Sequence, residues 1–223
     1  MKLHNLMFVG IFLVVAVIAS QVNFSAVVGA EGQHFTLFQF FAPTAGAFLG
    51  GIGIIVVFFS QLINYFVAGK AFTLISVIRL LPMLFAVYYF SRKRRWQVSA
   101  AIPILCMGLF WLNPVGRSAW PFALFWTIPM LALLFKRSLL WKSFGATFTA
   151  HAVGSTIWLY TIPMPAAAWI ALMPQVMYER SLFAIGIAGS YWGLNVLLNM
   201  VTTRWKIPVL QLDKVGWLKK IRS

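Results

Sequence analysis

Residues 44–67 read TAGAFLGGIGIIVVFFSQLINYFV, a run of twenty-four positions without one charged side chain. A helix that crosses the ~30 Å hydrocarbon core of a bilayer takes about 20 such residues, so the run reads as a membrane span. Its opening, Thr44-Ala45-Gly46-Ala47 and then Gly50-Gly51, presents the small side chains that let another helix approach closely in lipid.

The rest of the chain has the same character. Of 223 residues, 61% are hydrophobic, 18 are basic and 3 are acidic, and the mean hydropathy is +0.88. Soluble domains carry charge on roughly a quarter of their residues. Further apolar runs cover residues 6–30, 71–90, 98–112, 121–135 and 143–162, and a last one runs from about 181 to 201. The run at 6–30 is longer than the 7–15 residues of a signal-peptide apolar region, so it reads as a retained first helix. Asn113-Pro114 closes one run and Pro163-Met164-Pro165 another, because proline cannot continue a helix. Residues 166–201 contain Pro174 and the pair Glu179-Arg180, and are expected to split into a partial helix and a full span from Ser181. Between the first two runs lies Glu31-Gly32-Gln33-His34 and then Phe35-Thr36-Leu37-Phe38-Gln39-Phe40-Phe41. This segment is too short to span and too aromatic for an ordinary loop, and it reads as an interfacial or re-entrant lid. The predicted fold class is all-α: a polytopic protein of the cell membrane with six to seven transmembrane helices and a short aromatic lid after helix 1. It forms a single transmembrane domain over residues 1–223, with a basic cytoplasmic tail at 202–223.

Composition also excludes chemistry. The acids are Glu31, Glu179 and Asp213, too few and too scattered for most carboxylate-pair catalysts. A single cysteine, Cys106, rules out a disulfide framework and a multi-cysteine zinc site. No phosphate-binding loop, HExxH or GxSxG motif is present, and with no soluble domain to hold a nucleotide, any ATP is expected on a partner. The net charge of +15 comes mostly from short blocks beside apolar runs, the pattern of topology signals and anionic-lipid contacts and not of a nucleic-acid interface.

Ionisable groups inside apolar runs are costly and are functional candidates by default. Here they are Arg79, His151, Glu179 and Arg180. Glu179-Arg180 also fits a helix break with both chains reaching for water, and Arg79 also fits a structural pairing with Glu179. On a helix, Thr147, His151, Gly154, Ser155 and Trp158 share one face. Imidazole, hydroxyls and indole on one face suit a small polar-aromatic ligand, while a lone histidine equally suits a helix–helix hydrogen bond. The lid adds Glu31, Gln33, His34 and Gln39 among phenylalanines, as a pocket for a flat molecule would require. The substrate-binding candidates are therefore Glu31, His34, Gln39, Arg79, His151, Ser155, Trp158 and Glu179. No catalytic set, cofactor site or metal site is expected, since a metal needs more histidine or carboxylate ligands than His34 and His151 supply. Gly46-x-x-x-Gly50 and Gly189-x-x-x-Gly193 read as packing motifs.

The order of a small-residue-rich first helix, a polar-aromatic loop, "FFAPTAGAFLGGIGIIVVFFSQLINYF" and "AFTLISVIRLLPMLFAVYYFSRKRR" resembles the substrate-binding (S) components of energy-coupling-factor (ECF) vitamin transporters. The resemblance covers mainly residues 1–95 and, more loosely, "HAVGSTIWLY" and "MYERSLFAIG". It implies six helices, both termini in the cytoplasm, a site near the outer face under the first loop, and a stripe on helix 1 that docks on a transmembrane coupling subunit. That stripe would be Ala16-x-x-x-Ser20 or Ala26-x-x-x-Ala30. Cobalt and nickel members would carry a histidine near residue 2, which Lys2-Leu3-His4 does not match, so an organic substrate is implied.

The leading expectation is a non-enzymatic, high-affinity binding subunit for uptake of a small vitamin-like organic molecule, embedded in membrane lipid and energised by separate ATPase subunits. The alternatives are an intramembrane enzyme acting on a lipid or prenyl substrate, with His151 as general base and Glu179 orienting it, and a small channel or structural partner. Thirteen of the eighteen basic residues lie in 92–95, 136–142 and 204–222, which places these three stretches together in the cytoplasm. Counting three spans back from residue 92 puts the amino terminus outside in a seven-span arrangement, against the resemblance; the alternative is six spans with Arg92 to Arg95 outside, and the orientation of the amino terminus is left open. In intact cells a cysteine placed at position 93 should stay unlabelled by an impermeant thiol reagent, and external labelling would reverse the assignment.

Overall fold

The computed structural model describes residues 3–26, 34–69, 77–91, 94–135 and 137–205. Helix α1 (Leu3–Ser20) leads to a two-stranded antiparallel ribbon of β1 (Asn23–Ala26) and β2 (His34–Thr36), with Ala26 opposite His34 and Asn23 opposite Thr36. Short helices α2 (Phe38–Phe41) and α3 (Thr44–Leu49) follow, then α4 (Gly51–Val67), α5 (Leu81–Phe90) and α6 (Trp96–Leu112). After α7 (Pro114–Ser118) the chain forms a 3₁₀ helix over Trp120–Trp126 that continues into α8 (Thr127–Ala132). The last elements are α9 (Leu139–Thr161), α10 (Ala166–Ala171) and α11 (Met173–Trp205). The described chain is predominantly helical, and one helix is long and apolar enough to cross a membrane, over Met173–Leu198.

Several boundaries differ from the sequence expectation, each for a local reason. The first helix stops at Ser20, not near 30. Ser20 turns its hydroxyl back onto the Ala16 carbonyl, and the next residues enter the ribbon, which Leu37 N–H closes on the Val22 carbonyl. Residues 44–67 form two helices because Gly50 takes φ +61°, a left-handed conformation that glycine adopts without strain. The run at 121–135 begins as 3₁₀ and becomes α only at Thr127. The expected break at Ser181 falls instead at Leu172, between α10 and α11. Pro174 sits in the first turn of α11, where its missing N–H removes no helical bond, so Glu179 and Arg180 ride on an unbroken helix. The other stops are as read: Asn113 accepts from the N–H groups of Val115 and Gly116 to cap α7, and α9 ends before Pro163.

Ring contacts fix which ends lie together. Phe8 near the start of α1 packs on Phe48 of α3, Phe48 on Tyr191 of α11, and Tyr191 on Phe90 at the end of α5. Lys142 in the first turn of α9 lies over the Phe90 ring. The start of α1, the end of α5, the start of α9 and the later turns of α11 therefore share one end of the bundle. The stretch at 38–49 returns the chain between α1 and α4, an extra leg that counting apolar runs misses, and it brings the amino-terminal helix to the same end as the basic block after α5. There Arg94 stacks on Tyr89, and burial lowers its pKa, partly offset by the Tyr89 and Tyr88 phenols. Residues 92, 93 and 136 and the tail at 206–223 lie outside the described residues.

Helix α9 is the hub. Every residue from Gly145 to Val153 is buried, and the helix contributes Ala146 and Ala150 to one apolar core with α1, α3, α4 and α5, and Phe148, Ala152 and Leu159 to a second with α6, the 3₁₀ helix and α10. Its closest neighbour is α5, where a Cβ at Gly145 would fall on the Tyr89 ring. Tyr89 is wholly buried and donates its hydroxyl to the Pro129 carbonyl at 2.6 Å. At Gly46 a Cβ would meet the Val87 carbonyl oxygen of α5. Replacing Gly145 by alanine must displace Tyr89 from that bond, and overpacking of this kind costs about 1–3 kcal/mol. Thermal unfolding of Gly145→Ala in detergent is expected at a clearly lower midpoint than wild type, and an unchanged midpoint would show that α5 and α9 can separate freely.

Candidate functional site

The aromatic segment folds onto the middle of α11. Phe24 of β1, Phe35 of β2 and Phe40 of α2 all reach Phe183, with centroids 5.2, 5.6 and 5.1 Å away. Phe24 and Phe40 also meet edge to face at 4.9 Å. Gly186, one turn below Phe183, admits the Phe40 ring, which a Cβ there would overlap. These four rings form a cap. It depends on the strand pairing, in which Phe35 lies opposite Ser25 and Phe24 sits at the irregularity between Asn23 and Ser25, and on Gln39, whose side-chain oxygen accepts from both the N–H and hydroxyl of Thr36 and so fixes the turn into α2.

Beneath the cap lies Arg180. Its guanidinium is 4.6 Å from the Phe35 ring centre and 4.8 Å from that of Phe183, and the residue is 6% exposed. Its buried Nε has no hydrogen-bond partner. A guanidinium over ring faces gains cation–π attraction, but rings do not accept its N–H groups as an oxygen would. Glu179, 7% exposed, accepts from the side-chain amide of Gln175 one turn earlier and interacts with Arg180 through charge. His151 of α9 is close enough to Arg180 for electrostatic interaction. Its Nδ1 accepts from Trp126 Nε1 at 3.2 Å, within a ring of Phe122, Phe125 and Phe148. Indole N–H only donates, so Nδ1 carries no proton and Nε2 is the donor.

The sequence candidates thus separate. The structure joins the aromatic lid to α11 through Phe183 and Arg180, with Glu179 next to them in the chain, while the contacts of His151 are to Trp126 and the rings around it. Arg79 is elsewhere, 4.6 Å over the Trp158 ring, with its Nε also without a partner. Seven residues along α9 place Trp158 about 10 Å from His151. Ser155 is half-buried, and Gly154 on the same face touches Pro82 at the start of α5. His34 is exposed on β2, and Gln39 is engaged in the turn. Glu31, with Gln33 and Ala30, lies outside the described residues. Ala16 is 1% exposed in the core of the chain and Ser20 is half-buried. Among the described residues, His151 and Glu179 hydrogen-bond to Trp126 and Gln175 and not to each other, as a general-base reading would require.

Sequence reasoning did not select Arg180, Phe183 or Trp126. Trp126 had no signal, lying in an apolar run with nothing to link it to position 151. Arg180 had one, a charge inside an apolar segment, but the neighbouring Glu179 and Pro174 made a helix break the simpler reading.

Among known proteins, the chain is similar to one from Methanocaldococcus jannaschii that carries the description "uncharacterized protein", at 26% identity over 204 residues covering 82% of this chain and 68% of the relative. No family model matches, and no solved structure matches.

The Trp126–His151 bond is testable alone. Trp126→Phe leaves a buried Nδ1 without a donor, which costs about 1–3 kcal/mol. Further replacement of His151 by Phe should recover part of that loss, since both polar partners are then gone. Strict additivity of the two changes in unfolding stability would show that the pair is uncoupled.

Proposed function

We propose that the chain is a multi-pass protein of the cell membrane that binds a small organic molecule under the aromatic cap, and that it serves as the substrate-binding subunit of an uptake system energised by ATPases on other chains. Membrane embedding is supported by the outward surface. Val14, Ile18, Phe59, Phe66, Leu112 and Ile185, from four different helices, are all more than half exposed, an apolar surface beyond what soluble monomers carry. Within Met173–Leu198, 28% of the most apolar stretch is buried, so this helix is not the enclosed core helix of a soluble domain. Helices of 10–17 residues such as Gly51–Val67 and Trp96–Leu112 cross by thinning the bilayer or by extending through their flanks.

The observation that carries the binding reading is the aromatic cap closed over a buried, oxygen-free arginine. A buried charge that only a neighbouring carboxylate and two ring faces offset is retained at a cost, and the lid that encloses it comes from a separate part of the chain. The resemblance to ECF S components puts a ligand under this same first loop. With the start of α1 and the later turns of α11 at the same end of the bundle as Arg94 and Arg95, the cap is read as facing the outside, where an uptake protein meets its substrate.

The test is to purify the full chain in mild detergent, denature it and analyse the extract by mass spectrometry. A small organic molecule in near-equimolar amount is expected, strongly depleted in a Phe40→Ala variant of the same fold. Preparations from rich and defined media that all lack such a molecule would overturn the reading.

A further inference from the structure

The geometry points to a compact organic monocarboxylate as the molecule bound under the cap, its carboxylate seated on the Arg180 guanidinium. This deepens the binding reading above and rests on it. The guanidinium is a planar fork whose paired N–H groups match two carboxylate oxygens. In this protein Phe35 and Phe183, their ring centres 5.6 Å apart, lie together to one side of the guanidinium while the buried Nε is left without an acceptor. Rings do not accept its N–H groups as an oxygen would, so these remain for an anion.

Charge limits the anion to one unit. His151, whose Nδ1 accepts from Trp126, adds no second positive charge. Glu179, the residue before Arg180, already offsets part of its charge and is tied to Gln175. Arg79 is engaged with Trp158, about two turns from His151 along α9. A single partly compensated cation in an apolar enclosure suits a carboxylate. A phosphate dianion would bring a buried excess of negative charge. The walls narrow the class further: Phe24, Phe35, Phe40 and Phe183 meet as edges and faces, which suits a short, flat body more than an acyl chain.

The experiment uses the full chain in detergent, with the thermal midpoint followed by calorimetry against benzoate, benzamide, inorganic phosphate and decanoate at equal millimolar concentrations. Benzoate is expected to raise the midpoint of the wild type, with benzamide and phosphate giving little. In Arg180→Met the benzoate response should vanish, and in Arg180→Lys, which keeps the charge and loses the fork, the apparent affinity should fall about tenfold. No benzoate response in the wild type, an equal response in Arg180→Met, or an equal response to benzamide overturns the carboxylate assignment, a larger response to phosphate overturns the single charge, and a response to decanoate alone overturns the compact body. The binding reading fails separately: a co-purified molecule without an acidic group would leave it standing while this assignment falls, and an Arg180-dependent benzoate response with no co-purified molecule would do the reverse.

Discussion

Helix α9 can be surrounded on all sides only because its middle carries so little bulk and so few unsatisfied polar groups. Between Gly145 and Val153 the one large apolar side chain is Phe148, and the rest are small, hydroxyl-bearing or imidazole. In an apolar enclosure each hydroxyl must find an acceptor. Ser143, Thr149 and Thr156 find theirs four residues back, on the carbonyls of Leu139, Gly145 and Ala152. That back-bonding lets a helix with polar composition sit in the centre of an apolar bundle. The remaining partners are external: Tyr89 fills the notch at Gly145, and Trp126 meets His151. The two cores are thus one assembly that shares a helix, and a change in the α5–α9 spacing is felt on the α6 side as well.

The same enclosure gives Arg180 its significance. A charge on α11 could have been turned to the outer surface, where Tyr178 is exposed. It points inward, under segments that arrive from the other end of the chain. Cation–π contacts with two rings offset part of the desolvation, and the partial countercharge of Glu179 offsets more. An arginine in this position is costly to the empty protein, and under the proposed carboxylate binding it would be useful to a loaded one, the trade expected where function is set against stability.

What the sequence showed depended on how local the signal was. The helices at 98–112 and 143–162 were legible to within a few residues, because Asn113-Pro114 and Pro163 set their ends and charged blocks their starts. The run at 44–67 was legible as apolar helix but not as two helices, since Gly50-Gly51 reads the same whether it lets a neighbour approach or reverses the chain. That ambiguity also left the amino-terminal helix unplaced, as the stretch at 38–49 contributes a leg too short to count as a span. At the site, the aromatic lid and His151 were legible from composition and spacing. Arg180 required two non-local facts, that α11 passes unbroken through Pro174 and that Phe35 folds back upon it, and neither is written in the residues around position 180.

The 3₁₀ segment also affects reach. A 3₁₀ helix rises about 2.0 Å per residue against 1.5 Å for an α-helix, so Trp120–Ala132, half 3₁₀ and half α, extends roughly 23 Å where a uniform α-helix of that length would extend about 20 Å. The tighter winding also changes which side chains align. With three residues per turn, Ala123 and Trp126 stack one above the other, and both are buried. The Trp126 indole leaves this edge toward His151, and the α-helical part that follows offers the Pro129 carbonyl to Tyr89. Regular α-winding would advance Trp126 from Ala123 by 300° instead of a full turn, and the indole would leave the strut in another direction.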